Sequence, residues 1–210
     1  MTSTSDSILF YVHDPMCSWC WGFRPEWRKL KASLPPQLRV VSYVGGLAPD
    51  SDEPMPTALQ RDIQSAWKRI QQVIPGTQFN FDFWTQNTPR RSTYPACRAV
   101  ISAREMADKA DDMTCAIQQA YYLQAKNPSD DETLIEVAVT IGLNKEDFAK
   151  RLQSDETQAL LEKELSSVRE LGVYSFPSLV LQHNDELHGV QLDYTHAERM
   201  LREIEQHLAR

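Results

Sequence analysis

The sequence predicts an α/β protein in which one sheet is assembled from both ends of the chain and a large all-helical segment is inserted between the two halves. Three observations carry this. The β-rich runs lie near the termini, residues from about 47 to 171 repeat their apolar positions at helical spacing, and a C-x-x-C motif stands where the first strand-like run gives way to the first helix-like one. The sheet domain is expected to comprise residues 1–46 and 155–210, and the helical domain residues 47–154.

Ile8 to Asp14 is rich in β-formers and stops at Pro15, and Leu38 to Val44 stops at Gly45-Gly46. Between them Cys20, Phe23, Trp27, Leu30 and Leu34 mark one apolar face of a helix, with Pro25 expected to kink it. Strand, helix and strand in about 35 residues read as a βαβ unit, hence a parallel pair. Leu59 to Val73 is an amphipathic helix ending at Pro75-Gly76, and Phe79 to Arg91 is an aromatic and polar connector. Pro95 opens a helix to about Ala107, and another runs from about Asp111 to Lys126. Ser129 to Glu132 fits a capping box for the next helix, Asn144 caps a short one, and a longer helix from about Asp155 stops at Gly172. Phe176 to Leu181 and Glu186 to Val190 form a hairpin around Asn184-Asp185, and Thr195 to Glu198 is a second capping box before the last helix.

The 210 residues carry a net charge of −7, which excludes phosphate-backbone binding as the main activity; no nucleic-acid partner is expected. No apolar stretch approaches the length of a membrane span, and residues 1–7 carry no Lys or Arg, so a cytoplasmic chain with no membrane partner is expected. The oligomeric state is not legible. Four cysteines do not make a disulfide scaffold, and in the cytosol a close pair reads as catalytic or metal-binding.

In Cys17-Ser18-Trp19-Cys20 the first sulfur sits where unpaired backbone N–H groups stabilise a thiolate. Cys20 falls on the apolar helical stripe and is expected to be the more buried sulfur. A zinc site would need ligands from His13, Cys97 or Cys115. There is neither a second C-x-x-C nor a closely spaced His pair, so no metal is expected. Cys97 and Cys115 read as small helix-borne hydrophobes. Trp27 and Trp67 belong to the core, whereas Trp19 and Trp21 can form an apolar lip beside the sulfurs. Arg90-Arg91 is a solvated pair or a carboxylate clamp.

The segment Asp14-Pro15-Met16-Cys17-Ser18-Trp19-Cys20-Trp21-Gly22-Phe23, with Arg91 to Glu105 and Gly172 to Leu181, resembles the DsbA-like disulfide oxidoreductases of the FrnE type. The resemblance implies a thioredoxin-like fold (βαβ…αββα) with an inserted helical domain. It implies thiol–disulfide exchange with protein thiols, protein disulfides or glutathione, without a bound cofactor. By the same resemblance Cys17 is the exposed nucleophile, Cys20 the resolving cysteine and Pro177 a cis-proline. Phe176 and Pro177 would then bind an extended substrate beside Trp19 and Trp21. Cys97 lies in a matching segment and is the likelier of the two remaining cysteines to face the site. Ser18-Trp19 supplies no cation between the sulfurs, so a milder thiolate stabilisation than in DsbA is expected. Tyr11 stands where such proteins commonly carry a buried carboxylate; His13 is the expected substitute for proton transfer, with Asp14 also near. Two rivals remain. One is a glutathione-dependent transferase or isomerase of the kappa-class or hydroxychromene-carboxylate type, which has serine at the position of Cys17. The other is a non-catalytic holdase.

Overall fold

Ile8–His13 forms strand β1 at the centre of a four-stranded sheet, because it pairs with both halves of the chain. Helix α1 (Ser18–Ser33) returns the chain to strand β2 (Arg39–Val44), which lies parallel to β1 with Ile8 opposite Arg39 and His13 opposite Val44. The helical segment follows as α2 (Thr57–Val73), the one-turn α3 (Phe83–Gln86), α4 (Tyr94–Ala107), α5 (Ala110–Tyr122), α6 (Asp131–Thr140), α7 (Lys145–Leu152) and α8 (Asp155–Glu170). Strand β3 (Ser178–His183) then runs antiparallel on the other side of β1, and β4 (Glu186–Val190) antiparallel to β3, before α9 (Ala197–Leu208) closes the chain. The sheet order is β2-β1-β3-β4. The computed structural model describes residues 7–209. No described helix is long and apolar enough to cross a membrane.

Alternation along β1 gives the sheet two covered faces. Leu9 and Tyr11, with Leu179 and Leu181 of β3, pack against Phe23, Trp27 and Leu30 of α1 and Met200 and Ile204 of α9. Phe10, Val12 and Val180 face the other way, onto Val168 of α8 and Val173. Helix α8 also faces the helical segment, where Leu161 and Leu165 join the core built on Val100 and Ile101 of α4, Ile117 of α5 and Phe148 of α7. Its Glu164 is buried between these layers. One carboxylate oxygen accepts the Val44 N–H at 2.8 Å and the other pairs with Arg104 at 2.6 Å. Burial nevertheless leaves the Glu164 pKa raised, with Arg104 acting against it.

A second apolar centre surrounds Trp67, which is fully buried. Phe79 stacks on it at 4.8 Å, and Phe81, Phe83, Trp84, Tyr121 and Tyr122 pack around it with ring centroids 5.0–6.1 Å away. The connector from Phe79 to Arg91 is therefore held by its aromatic side chains rather than by length of regular structure.

Helix α1 continues through Pro25, with Phe23, Trp27 and Leu30 packed on the sheet. Two local expectations need correction. The Ser129 capping box does not form: Asp130 is the N-cap, and Ser129 Oγ instead donates to the Ser92 carbonyl at 2.7 Å. At the last helix Asp193 displaces Thr195, its Oδ1 accepting from the N–H groups of Thr195 and His196. Glu26 of α1 accepts the Ala197 N–H at 2.9 Å. A partner on another element is invisible to a rule that looks three residues ahead. Asn144 does cap α7, accepting from Glu146 and Asp147 at 3.0 Å, and the hairpin turns on Asn184 and Asp185, both at positive φ.

Candidate active site

The turn Asp14-Pro15-Met16 ends β1 and delivers Cys17 to the N-cap of α1. The Cys17 carbonyl accepts the first helical bond, from Trp21 N–H at 3.0 Å. Its sulfur thus stands at the end where the first N–H groups of the helix lack helical partners. The Cys17 thiol donates to the Phe176 carbonyl at 3.3 Å, and the Phe176–Pro177 bond is cis. The two chain ends are thereby brought face to face, with Cys17 on one wall and Phe176-Pro177 on the other.

The expectation of an exposed Cys17 is corrected: its exposure is 6%, against 0% for Cys20. Cys17 lines a cavity of about 350 Å³ together with Trp19, Leu47, Met55, Trp67, Arg91 and Phe176, whose carbonyl its thiol contacts. Both cysteines are free thiols. The approach of Phe176 depends on Gly45, where an added Cβ would fall 2.1 Å from a ring carbon. Gly45→Ala is expected to displace Phe176, cost roughly 1–3 kcal/mol of stability and slow reaction at Cys17. Denaturant unfolding and an exchange assay on the same preparation check both effects.

Asp14, in the turn before Cys17, is fully buried. Its Oδ1 accepts the Met16 N–H at 2.7 Å, and its Oδ2 accepts the Leu47 N–H at 2.8 Å and the Thr93 hydroxyl at 2.7 Å. The Cys97 thiol approaches the same oxygen at 3.6 Å. Burial raises the Asp14 pKa, and these hydrogen bonds act against the rise. Cys20 is pushed well above the usual thiol range by burial first, then by its contact with Cys17, with the negative charge of Asp14 adding to the effect. Tyr11, at the position where a carboxylate was sought, stacks between Trp27 at 4.2 Å and His13 at 4.9 Å. Its hydroxyl is held neutral by burial and by the nearby sulfurs.

His13 lines a different cavity, among α1 and α5 residues, and has no side-chain hydrogen bond to either sulfur among the described residues. Burial lowers its pKa to about 4, so it is neutral at pH 7. Trp19 lies on the rim of the Cys17 cavity and meets Tyr194 edge-on at 5.4 Å. Trp21 turns away to the helical segment, stacking on Tyr122 at 5.7 Å and donating to the Gln78 carbonyl at 3.0 Å. Tyr122 in turn donates its hydroxyl to the Met16 carbonyl at 2.7 Å, which ties α5 to the turn before Cys17. Arg90 and Arg91 both line the Cys17 cavity; Arg90 is held by the Ser129 carbonyl and Asp130, whereas Arg91 makes no ion pair among the described residues. Trp27 and Trp67 are core residues as expected. The Asp14 hub is not legible in the local sequence, because its partners Leu47, Thr93 and Cys97 lie far along the chain. The signal was a carboxylate between an apolar strand and a proline.

A thioredoxin family model (Thioredoxin_5) matches residues 10–203. Among solved structures, a protein from Nitrosomonas europaea assigned as a disulfide isomerase superposes with a TM-score of 0.84 at 27% identity, covering 97% of this chain and 98% of that one. The cytosolic disulfide reductase DsbM of Pseudomonas aeruginosa superposes with a TM-score of 0.76 at 23% identity, covering 96% and 98%. The same reductase is also known with GSH, superposing at 0.75. A curated relative, the ClpXP adapter protein SpxH of Bacillus subtilis, is 26% identical over 185 residues, which are 85% of this chain and 60% of that protein. This chain thus spans about three fifths of that relative's length. With a family model spanning almost the whole described chain and disulfide oxidoreductases among its structural neighbours, the protein belongs to the thioredoxin family and has a DsbA-like thioredoxin fold.

Proposed function

We propose that the protein is a thiol–disulfide oxidoreductase that exchanges a Cys17–Cys20 disulfide or dithiol with its substrates through a mixed disulfide at Cys17. The observation that carries this reading is the Cys17 thiol, at the N-terminus of α1 with Cys20 buried behind it and the Phe176-Pro177 wall in contact in front. In the reducing direction the Cys17 thiolate attacks one sulfur of a substrate disulfide, that S–S bond breaks, and one substrate thiolate leaves. Cys20 then gives up its proton and attacks the Cys17 sulfur, the mixed disulfide breaks, and the second substrate thiolate leaves as the Cys17–Cys20 disulfide forms. The oxidising direction is the reverse. Asp14 is the acceptor of the Cys20 proton in this reading, because it is the carboxylate whose charge bears on Cys20 and burial readies it to take a proton.

Protein thiols and disulfides, or glutathione, are the proposed partners. DsbM with GSH supports the latter, and Arg91, at the Cys17 cavity, offers a guanidinium for a substrate carboxylate. A cytoplasmic location is proposed on the close cysteine pair in a chain without a disulfide framework and on the cytosolic reductase of like fold. The discontinuous division into residues 1–46 with 155–210 and residues 47–154 stands as a proposal beside it.

Equilibrium titration against glutathione, read by the fluorescence of Trp19 beside the sulfurs, tests the reading. A two-electron transition is expected, and Cys17→Ser is expected to abolish it. Absence of the transition in the unsubstituted protein overturns the proposal. A transferase or isomerase would instead keep its activity in Cys20→Ser. The adapter relatives favour a second reading as a binding module, for which Tyr174, 82% exposed at the cavity rim, offers a docking side chain. Undiminished client handling by Cys17→Ser would favour that module over the enzyme.

A further inference from the structure

Thr93 stands at the N-cap of α4, a position where a threonine hydroxyl ordinarily accepts an N–H of the first helical turn. Here it makes no such bond. The hydroxyl donates instead to Asp14 Oδ2 at 2.7 Å, 79 residues away in the chain, and accepts the Ala48 N–H at 3.1 Å. Thr93 is 2% exposed and Asp14 fully buried, so their bond is made out of water, where a hydrogen bond to a charged group is strong. The helix forgoes its cap, and the carboxylate in the turn before Cys17 gains a donor.

The donors fall unequally on the two carboxylate oxygens. Oδ2 accepts from the Leu47 N–H at 2.8 Å and from Thr93, with the Cys97 thiol at 3.6 Å. Among the described residues Oδ1 accepts only the Met16 N–H, at 2.7 Å. Each oxygen of an ionised carboxylate has two lone pairs to offer. Those of Oδ2 are occupied, and one of Oδ1 is open. Leu47 and Thr93 are also fastened together through Ala48, whose carbonyl accepts the Thr93 N–H at 3.0 Å. Gly46 lets this loop lie against α4: it stands at φ +62°, and an added Cβ would fall 2.7 Å from a Tyr94 ring carbon. The loop after β2 and the start of α4 therefore grip one oxygen and leave the other free.

We infer that Thr93 is a positioning residue for the second step of exchange: with Leu47 it holds Asp14 by Oδ2 and leaves the open lone pair of Oδ1 to receive the Cys20 proton. The inference rests on the proposed reading of Asp14 as the proton acceptor. As Cys20 gives its proton to Oδ1, its sulfur attacks the Cys17 sulfur and the Cys17–Cys20 bond forms. The bond from Cys17 to the substrate sulfur breaks, and its electron pair leaves with the substrate thiolate. Thr93 acts through Asp14 alone. Its hydroxyl favours the charged carboxylate, so removing it raises the Asp14 pKa further.

The experiment follows the mixed disulfide formed between the reduced full chain and oxidised glutathione, by rapid quench and mass spectrometry across pH, with folding of each variant checked by circular dichroism. The resolution rate of the unsubstituted protein is expected to show a limb that titrates with Asp14. Thr93→Val keeps the shape and removes the hydroxyl. It is expected to move that limb to higher pH by about one unit, the shift in proton affinity that follows from losing a hydrogen bond to a charged group. Thr93→Ser, which keeps the hydroxyl, is expected to leave the limb in place. If Thr93→Val does not fold, Thr93→Ala replaces it with the same expected shift. A rate lowered equally at every pH with the limb unmoved marks a structural role and overturns the inference, as does a limb displaced in Thr93→Ser as far as in Thr93→Val. Asp14→Asn, run alongside, separates the two readings. If it keeps the limb, the acceptor reading falls and the inference with it. If it loses the limb while Thr93→Val leaves it in place, only the inference falls.

Discussion

Asp14→Asn is expected to slow resolution of the mixed disulfide by about a hundredfold, the low end of what a positioned general base contributes, while leaving the first attack by Cys17 far less affected. The separation follows from the geometry. Cys17 stands at the N-cap of α1, whereas Cys20 is fully buried and its thiol is held well above the usual range. The second step therefore depends on an acceptor inside the protein, and in the proposed mechanism the buried Asp14 is that acceptor. Asparagine keeps the size and one carbonyl oxygen for the Met16 or Leu47 N–H, but cannot take a proton. Rapid-quench trapping of the mixed disulfide across pH distinguishes proton transfer from a structural role. Loss of the acceptor removes the limb of the resolution rate that titrates with Asp14, whereas a purely structural loss lowers the rate equally at every pH. An unchanged profile in Asp14→Asn, with a changed one in His13→Ala, would return the role to His13.

The second large effect concerns stability in acid. His13 is buried, and burial lowers its pKa from 6.5 to about 4. The folded state thus keeps His13 neutral over a range where the unfolded chain binds a proton. Its contribution is fully present above pH 6.5 and is lost as pH falls from 6.5 to about 4, amounting to about 3 kcal/mol at 1.36 kcal/mol per pKa unit. Asp14 and Glu164 have raised pKa values and act in the opposite sense, gaining stability as pH falls through their folded values. Comparing unfolding free energies of the unsubstituted protein and His13→Gln between pH 7 and pH 4 isolates the histidine. The variant is expected to lose less stability on acidification. Parallel pH dependences would show that His13 is not held neutral.

These effects separate what is legible along the chain from what is not. The parallel β1–β2 unit, the hairpin at Asn184-Asp185, the Asn144 cap and the deeper burial of Cys20 follow from local spacing, turn chemistry and helical periodicity. The capping boxes at Ser129 and Thr195 fit local rules, yet lost to partners elsewhere: Ser92 for one, and Asp193 with Glu26 for the other. The same limit applies to the site. The C-x-x-C motif marks the chemistry because two sulfurs at a helix start need only the first turn to meet. The recessed setting of Cys17 depends on Phe176, which is distant in sequence and admitted by the missing side chain of Gly45.

By itself the sequence determined the class of fold, the C-x-x-C pair at a helix start and which of its sulfurs is the more sheltered, because those depend on interactions within a few turns of chain. Only the tertiary structure decided that Cys17 is recessed, that the Asp14 carboxylate is buried against Leu47 and Thr93, and that His13 lines a separate cavity. Burial, desolvation and charge pairing are set by every element packed around a group, and those elements arrive from remote parts of the chain.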